Sequence, residues 1–228
     1  MPIYCPTLAT IDLNTTKRHI IVNQPGNFTT DMLTEACVHA QILSIPKGVW
    51  QIYAYDQDEH TILAAKPLAL TTDSLLRQLT GAVEVAIMAA TIGLPLEQQV
   101  SNHFMQDQPS LGILLDAAGT TAITATSNAI YNVISQQAAQ AGLTAGPRIS
   151  PGSDDCPLDL QPEVLKLSTG NRIGLSLTDT KMLVPRKSIT AIIGLYPYHH
   201  TLSLPHQQEL TGDKCSHTGC HARKEKYR

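Results

Sequence analysis

Two groups of residues in this chain have types and a spacing that can do chemistry. The first is the run at 148–157, RISPGSDDCP, which sets one cation beside a restrained turn. Pro151 and Pro157 restrict φ, and Gly152 opens conformations closed to other residues. Ser150, Ser153, Asp154 and Asp155 can fold their side chains back onto the backbone. An arginine entering such a turn can hold a planar carboxylate through two parallel hydrogen bonds, which a lysine cannot do. Composition alone also fits an ordinary surface loop. The second group is Cys215, His217, Cys220 and His221, four soft or borderline ligands within seven residues. Two thiolates and two imidazoles can satisfy tetrahedral zinc, and iron is the other candidate. The spacing is not that of a common zinc finger, and a polar tail without metal is the alternative reading. His199, His200 and His206 form a looser cluster explained by a strand end exposed to water.

Asp116 stands in an apolar stretch, Leu-Leu-Asp-Ala. A buried carboxylate there needs a partner and would support the turn or its ligand; the alternative is a solvated helix edge or helix start. No nucleophile–base pair stands out. There is no Gly-x-Ser-x-Gly elbow, no His-Glu-x-x-His and no glycine-rich phosphate loop.

The elements that must position these residues follow from periodicity. Thr30-Asp31 caps a helix with Met32, Leu33, Ala36, Cys37 and Ala40 at helical spacing. Residues 49–55 alternate as a strand, 56–60 turn the chain, and 61–65 form the partner strand. A helix is expected from 72–74 to Gly93, with Leu75, Leu79, Val83, Ala86 and Ala90 on one face. Pro95 opens a further helix to about Phe104. A long helical stretch runs from Pro109 to about Ala141, broken or bent near Gly119, with Leu111, Leu115, Ala118, Ala122, Ala125 and Ala129 as its buried stripe. A short helix follows at 162–168, then strands at 173–177 and 187–196. Strands at both ends with helices grouped between them predict an α+β domain, a mostly antiparallel twisted sheet with helices packed on it.

Composition bounds the function. The 228 residues are 43% hydrophobic but 4% aromatic, so the core is aliphatic and alanine-rich. That length fits one domain over 1–204 and a polar tail over 205–228. A net charge of −3 gives no basic face for nucleic acid. The longest apolar segment, 83–96, is interrupted by Glu84, Gly93 and Pro95, so no membrane span is expected. The N-terminus lacks the charged lead-in of a signal peptide, and five scattered cysteines do not form a disulfide framework. A reduced, cytoplasmic protein is the expectation.

Residues 148–161, RISPGSDDCPLDLQ, followed by 173–194, IGLSLTDTKMLVPRKSITAIIG, resemble the activation domain of cobalamin-dependent methionine synthase, in particular its free-standing versions. ATIGLPLEQQV (90–100) and LLDAAGTTA (114–122) fall in the same order. The resemblance implies that Arg148, Ser150, Pro151, Gly152 and Ser153 mark a site for S-adenosylmethionine, with Arg148 on the methionine carboxylate. It implies cobalamin carried by a partner methyltransferase protein, and a flavodoxin-like electron donor. Two positions depart from the family pattern: Ser153 replaces an aromatic residue, and Thr124 stands where an acidic one is usual. Free-standing relatives often end in a three-cysteine cluster; here the last two, Cys215 and Cys220, are kept and Gly212 stands at the first. Asp58-Glu-His60 resembles the cobalt-ligating Asp-x-His-x-x-Gly motif of cobalamin carriers, but Leu63 occupies the glycine position, so a hairpin turn is expected. The readings left open are a reactivation domain that positions S-adenosylmethionine, a non-catalytic corrinoid-protein accessory, and a metal-linked module built on the tail.

Overall fold

The computed structural model describes residues 2–20, 28–153 and 155–198. In chain order these form α1 (Leu13–His19), α2 (Thr30–Leu43), β1 (Lys47–Asp56), β2 (Thr61–Ile62), β3 (Leu68–Ala69) and α3 (Asp73–Leu79). Then come β4 (Glu84–Thr91), α4 (Pro95–Met105), α5 (Pro109–Gln140), β5 (Leu143–Ile149), α6 (Gln161–Ser168), β6 (Ser176–Leu177), β7 (Leu183–Val184) and β8 (Ser188–Pro197). The six-stranded sheet has the order β3-β2-β1-β4-β8-β5 with every pairing antiparallel. The fold is α+β, as expected.

The sheet is covered on both faces. Ala86, Met88 and Ala90 of β4 with Ala191, Ile193 and Leu195 of β8 pack against residues of α2, α4 and α5. Val85, Ile87 and Ile192 face the other way, onto Leu75 and Leu79 of α3 and Val164 and Leu167 of α6. The buried hydrogen bond from Gln161 to the Thr190 hydroxyl (2.7 Å) ties α6 to β8.

Double coverage corrects the largest misreading of the sequence. The single helix expected from 72 to Gly93 is α3 followed by β4. A strand buried on both faces shows an unbroken apolar run, Val-Ala-Ile-Met-Ala-Ala, whose period cannot be told from that of a buried helix. Gly81, at φ +83, makes the break between the two elements. Thr29, not Thr30, caps α2, its hydroxyl accepting from the Met32 N–H. α5 runs unbroken through Gly119. That glycine serves close packing rather than a bend, since a Cβ there would lie 2.7 Å from Leu96 Cδ2. The buried stripe follows Leu115, Ala118 and Ala122 but then passes to Thr126, Ile130 and Ile134, and Ala125 is exposed. The strand expected at 173–177 shrinks to the two residues of β6, preceded by a 3-10 turn, Gly170–Ile173. β5 was not foreseen, because Gly146-Pro147 breaks its alternation. The tail residues Cys215, His217, Cys220 and His221, and His199, His200 and His206, lie outside the described residues.

Candidate ligand-binding site

Arg148 belongs to the end of an edge strand rather than to the turn itself. Ala145 stands opposite Leu195 and Arg148 opposite Ile193, so three steps along β5 match two along β8. This is a β-bulge at Gly146-Pro147. In a regular strand Pro147 would share the face of Ala145. The extra residue hands that face to Arg148 and turns its side chain toward α5. The bulge is tightly built, since a Cβ on Gly146 would lie 2.7 Å from the Tyr196 ring.

Three residues of α5 receive the guanidinium. Nη1 donates to Ser127 Oγ, and Nη2 to Asn128 Oδ1 at 2.7 Å. The Tyr131 ring lies beneath, 5.5 Å from its centroid to the guanidinium carbon. The Tyr131 hydroxyl also donates to the carbonyls of Ala145 (3.3 Å) and Gly146 (2.9 Å), so one side chain fixes both the bulge and the cation. Ser127 and Asn128 are neutral partners. Among the described residues no carboxylate comes within 4 Å of Arg148. Burial pushes its pKa down, with Tyr131 opposing, but a guanidinium stays charged at neutral pH. A half-buried cation held by neutral groups favours an anionic ligand, which would supply the missing counter-charge.

The turn after Arg148 closes on itself. Gly152 has φ +87, which only glycine adopts without strain. Its N–H donates to the Cys156 carbonyl (2.8 Å), and the N–H groups of Ser153 and Cys156 close further turn bonds. The Ser153 hydroxyl donates to the Ser150 carbonyl (2.7 Å). The turn therefore spends on itself donors that the sequence reading offers to a ligand. Cys156 is fully buried beneath it, and burial pushes its thiol up to about 11. Ser74 of α3 donates to the Asp155 carbonyl (3.2 Å), holding the turn from the opposite layer.

Beside the anchor a cleft of about 340 Å³ runs along the outer side of α5. Ala125, Asn128, Ala129 and Asn132 line it from the helix, and residues 6–9 form the facing wall. That wall is held by paired backbone bonds between Tyr4 and Gly48 and by the Gln41 amide donating to the Leu8 carbonyl. Asn128 belongs to both the cleft and the Arg148 anchor.

The other expected residues are placed as follows. Asp116 lies in mid-helix and half exposed, with its carboxylate 2.9 Å from Lys187 Nζ and 3.5 Å from Arg186. Glu97 also pairs with Arg186 (3.6 Å), and Lys187 donates to Thr120 (2.8 Å). Asp116 of α5 and Glu97 of α4 thus hold the two cations just before β8, and the partners of Asp116 are not in the 150–157 turn. Thr124 donates its hydroxyl to the Thr120 carbonyl one turn back (2.9 Å). The segment at 58–60 is the expected hairpin turn, where Asp56 accepts from the N–H groups of Asp58 and Glu59. Among the described residues no group of three or more His, Cys, Asp or Glu could hold a metal. No helix among them is long and apolar enough to cross a membrane. Ser127, Asn128 and Tyr131 were not anticipated. Their i, i+1, i+4 spacing puts three polar groups on one turn of an alanine-rich helix, a signal that gains meaning only once β5 is known to lie beside it.

No family model and no curated protein matches the chain. Among solved structures, the crystal structure of the MetH reactivation domain bound to AdoHcy matches with a TM-score of 0.58 and 13% identity. The match covers 86% of this chain and 79% of that one. The six-stranded antiparallel sheet between two helical layers is thus the fold of the MetH reactivation domain.

Proposed function

We propose that this protein is an accessory in the reductive reactivation of a cobalamin-dependent methyltransferase and that it holds S-adenosylmethionine for a partner's corrinoid. The observation that carries this reading is Arg148, a half-buried cation oriented by Ser127, Asn128 and Tyr131 with no carboxylate beside it among the described residues. When bound, S-adenosylmethionine supplies a methyl group on a sulfonium. This chain's part is positional: Arg148 holds the carboxylate, and the exposed Gly152 turn lets the main chain come close to the ligand. The partner brings the corrinoid, and a flavodoxin-like protein the electron.

Calorimetric titration with S-adenosylmethionine tests the reading. Arg148→Ala should cost about 2–4 kcal/mol of binding, and Arg148→Lys a good part of that, because an ammonium lacks the planar fork. Absence of binding at millimolar ligand, with none restored by Ser153→Tyr, would transfer the assignment to a second reading. In that reading the chain is a corrinoid-protein accessory that no longer holds the methyl donor. One observation favours it: the hydroxyls of Ser153 and Thr124 are both satisfied internally, and neither offers an aromatic face or a charge.

A further inference from the structure

We propose that the cavity between α1, α4 and α5 is a separate ligand site, one that takes a small organic carboxylate with a short apolar body. It is independent of Arg148. Asp116, on its rim, precedes Ser127 by eleven residues of the same helix, a rise of about 16 Å. The cavity holds about 220 Å³, which suits a ligand smaller than a nucleotide. Val100, Phe104 and Ile113 make its apolar side, and His19, Asp116 and Arg186 its polar rim. The Phe104 ring is seated against α5, since a Cβ on Gly112 would lie 2.9 Å from its Cε2, yet the residue is half exposed. An aromatic ring fixed in place and left open beside a cavity is a contact surface for an apolar body.

The rim decides the charge of the ligand. Arg186 is anchored by its backbone, whose N–H donates to Glu97 Oε2 at 2.9 Å. Its guanidinium is less committed, 3.6 Å from Glu97 and 3.5 Å from Asp116, both beyond ordinary hydrogen-bond lengths. Its side chain is 67% exposed, so most of its donors can serve an anion. Asp116 is matched by Lys187 at 2.9 Å and offers little to a cationic ligand. His19 senses Lys187 and Arg18, with Asp116 and Arg186 on the same rim and Glu97 behind Arg186. Burial first, then Lys187 and Arg18, hold its pKa below the ordinary imidazole value. An anion arriving between His19 and Arg186 reverses that balance and draws a proton onto the imidazole. Occupancy ties the end of α1 to α4 and to the approach of β8.

The experiment titrates 3-phenylpropionate, its neutral amide and acetate into the wild type and into Arg186→Gln, His19→Gln and Arg148→Ala variants by calorimetry. Arg186 is exposed and its backbone bond to Glu97 survives the change, so Arg186→Gln should fold, and circular dichroism checks it. The wild type should bind 3-phenylpropionate at millimolar concentration or below, and the amide and acetate at least tenfold more weakly. Arg186→Gln should lose 3-phenylpropionate by at least tenfold, whereas Arg148→Ala should keep it. Affinity should rise as pH falls from about 8 to about 6 in the wild type and stay level in His19→Gln. A wild type that takes the amide as well as the acid overturns the anionic site, even if no variant folds. Binding lost in Arg148→Ala but kept in Arg186→Gln would seat the carboxylate at Arg148 and overturn this inference while supporting the earlier reading. No binding of 3-phenylpropionate at millimolar concentration overturns the site outright and leaves the role of Arg148 untouched.

Discussion

β4 and β5 lie two places apart in the same sheet, yet they are built on opposite principles. β4 is paired along its whole length on both sides, and its residues from Val85 to Ala90 are fully buried. β5 is paired on one side only, carries a bulge, and buries only Gly146 and Ile149. Between Val85 and Ala90 the central strand is all core, since a polar side chain there would lose water and need a buried partner. The edge strand tolerates an irregularity, and the irregularity is what brings a cation to the surface of α5. Stability is concentrated in the first and the proposed ligand anchor in the second, so mutation can test whether the two are separable.

The largest effect is expected at the centre. Ile87→Ala removes a fully buried side chain packed between β8 and α3, and should cost about 2–5 kcal/mol of stability in urea unfolding. The variant that remains folded should bind ligand as the wild type does, and a parallel loss of affinity would mean that the two regions are coupled. An intermediate effect should appear in alkali. The thiol of Cys156 ordinarily ionises near 9 and is raised to about 11 in the folded protein. Below pH 9 the thiol is protonated in both states. Between 9 and 11 only the unfolded chain releases the proton, so stability falls as pH rises through that window. The loss can reach about 2–3 kcal/mol. Tyr196, raised by burial to about 12, prolongs the decline. Melting temperature against pH should therefore fall less steeply in Cys156→Ala between 9 and 11, and curves of equal slope would refute the role of the buried thiol. The smallest change in stability, but the most telling for the site, is Gly146→Val. Its side chain meets the Tyr196 ring, so the bulge must shift at a cost of about 1–3 kcal/mol. Ligand binding should go with it, and wild-type affinity in this variant would show that the bulge does not aim Arg148.

The same contrast explains how much could be read from the sequence. Elements whose pattern survives burial declared themselves: β1 and α4 fall within two residues of the expected bounds, α2 starts where expected, and Ile189, Ala191, Ile193 and Leu195 of β8 share one face as expected. β4 did not, because burial on both faces erases the alternation that distinguishes a strand. β5 did not, because Gly146-Pro147 is punctuation in a sequence and a bulge in a sheet. Arg148 stands out in the sequence by its side-chain chemistry and its neighbouring Pro-Gly turn, and the structure places it on the edge strand beside α5. The groups that hold it do not stand out, since Ser127, Asn128 and Tyr131 lie 17 to 21 residues away and reach it only through the packing of α5 on the sheet edge. Thr124 and Ser153, singled out as departures, proved to bond within their own helix and turn.

The bulge at Gly146-Pro147 also bears on how chains meet one another. A sheet edge with a regular row of N–H and C=O groups invites a strand from a second molecule. Here the outer edge of β5 is kinked, and Pro147 has no N–H to offer. At the opposite edge β3 is two residues long and follows Pro67, while the flank of β1 beyond β2 is occupied by Tyr4. An incoming strand finds no continuous ladder on either side. The distortion that turns Arg148 toward its helix thus guards the sheet against edge-to-edge aggregation at high concentration.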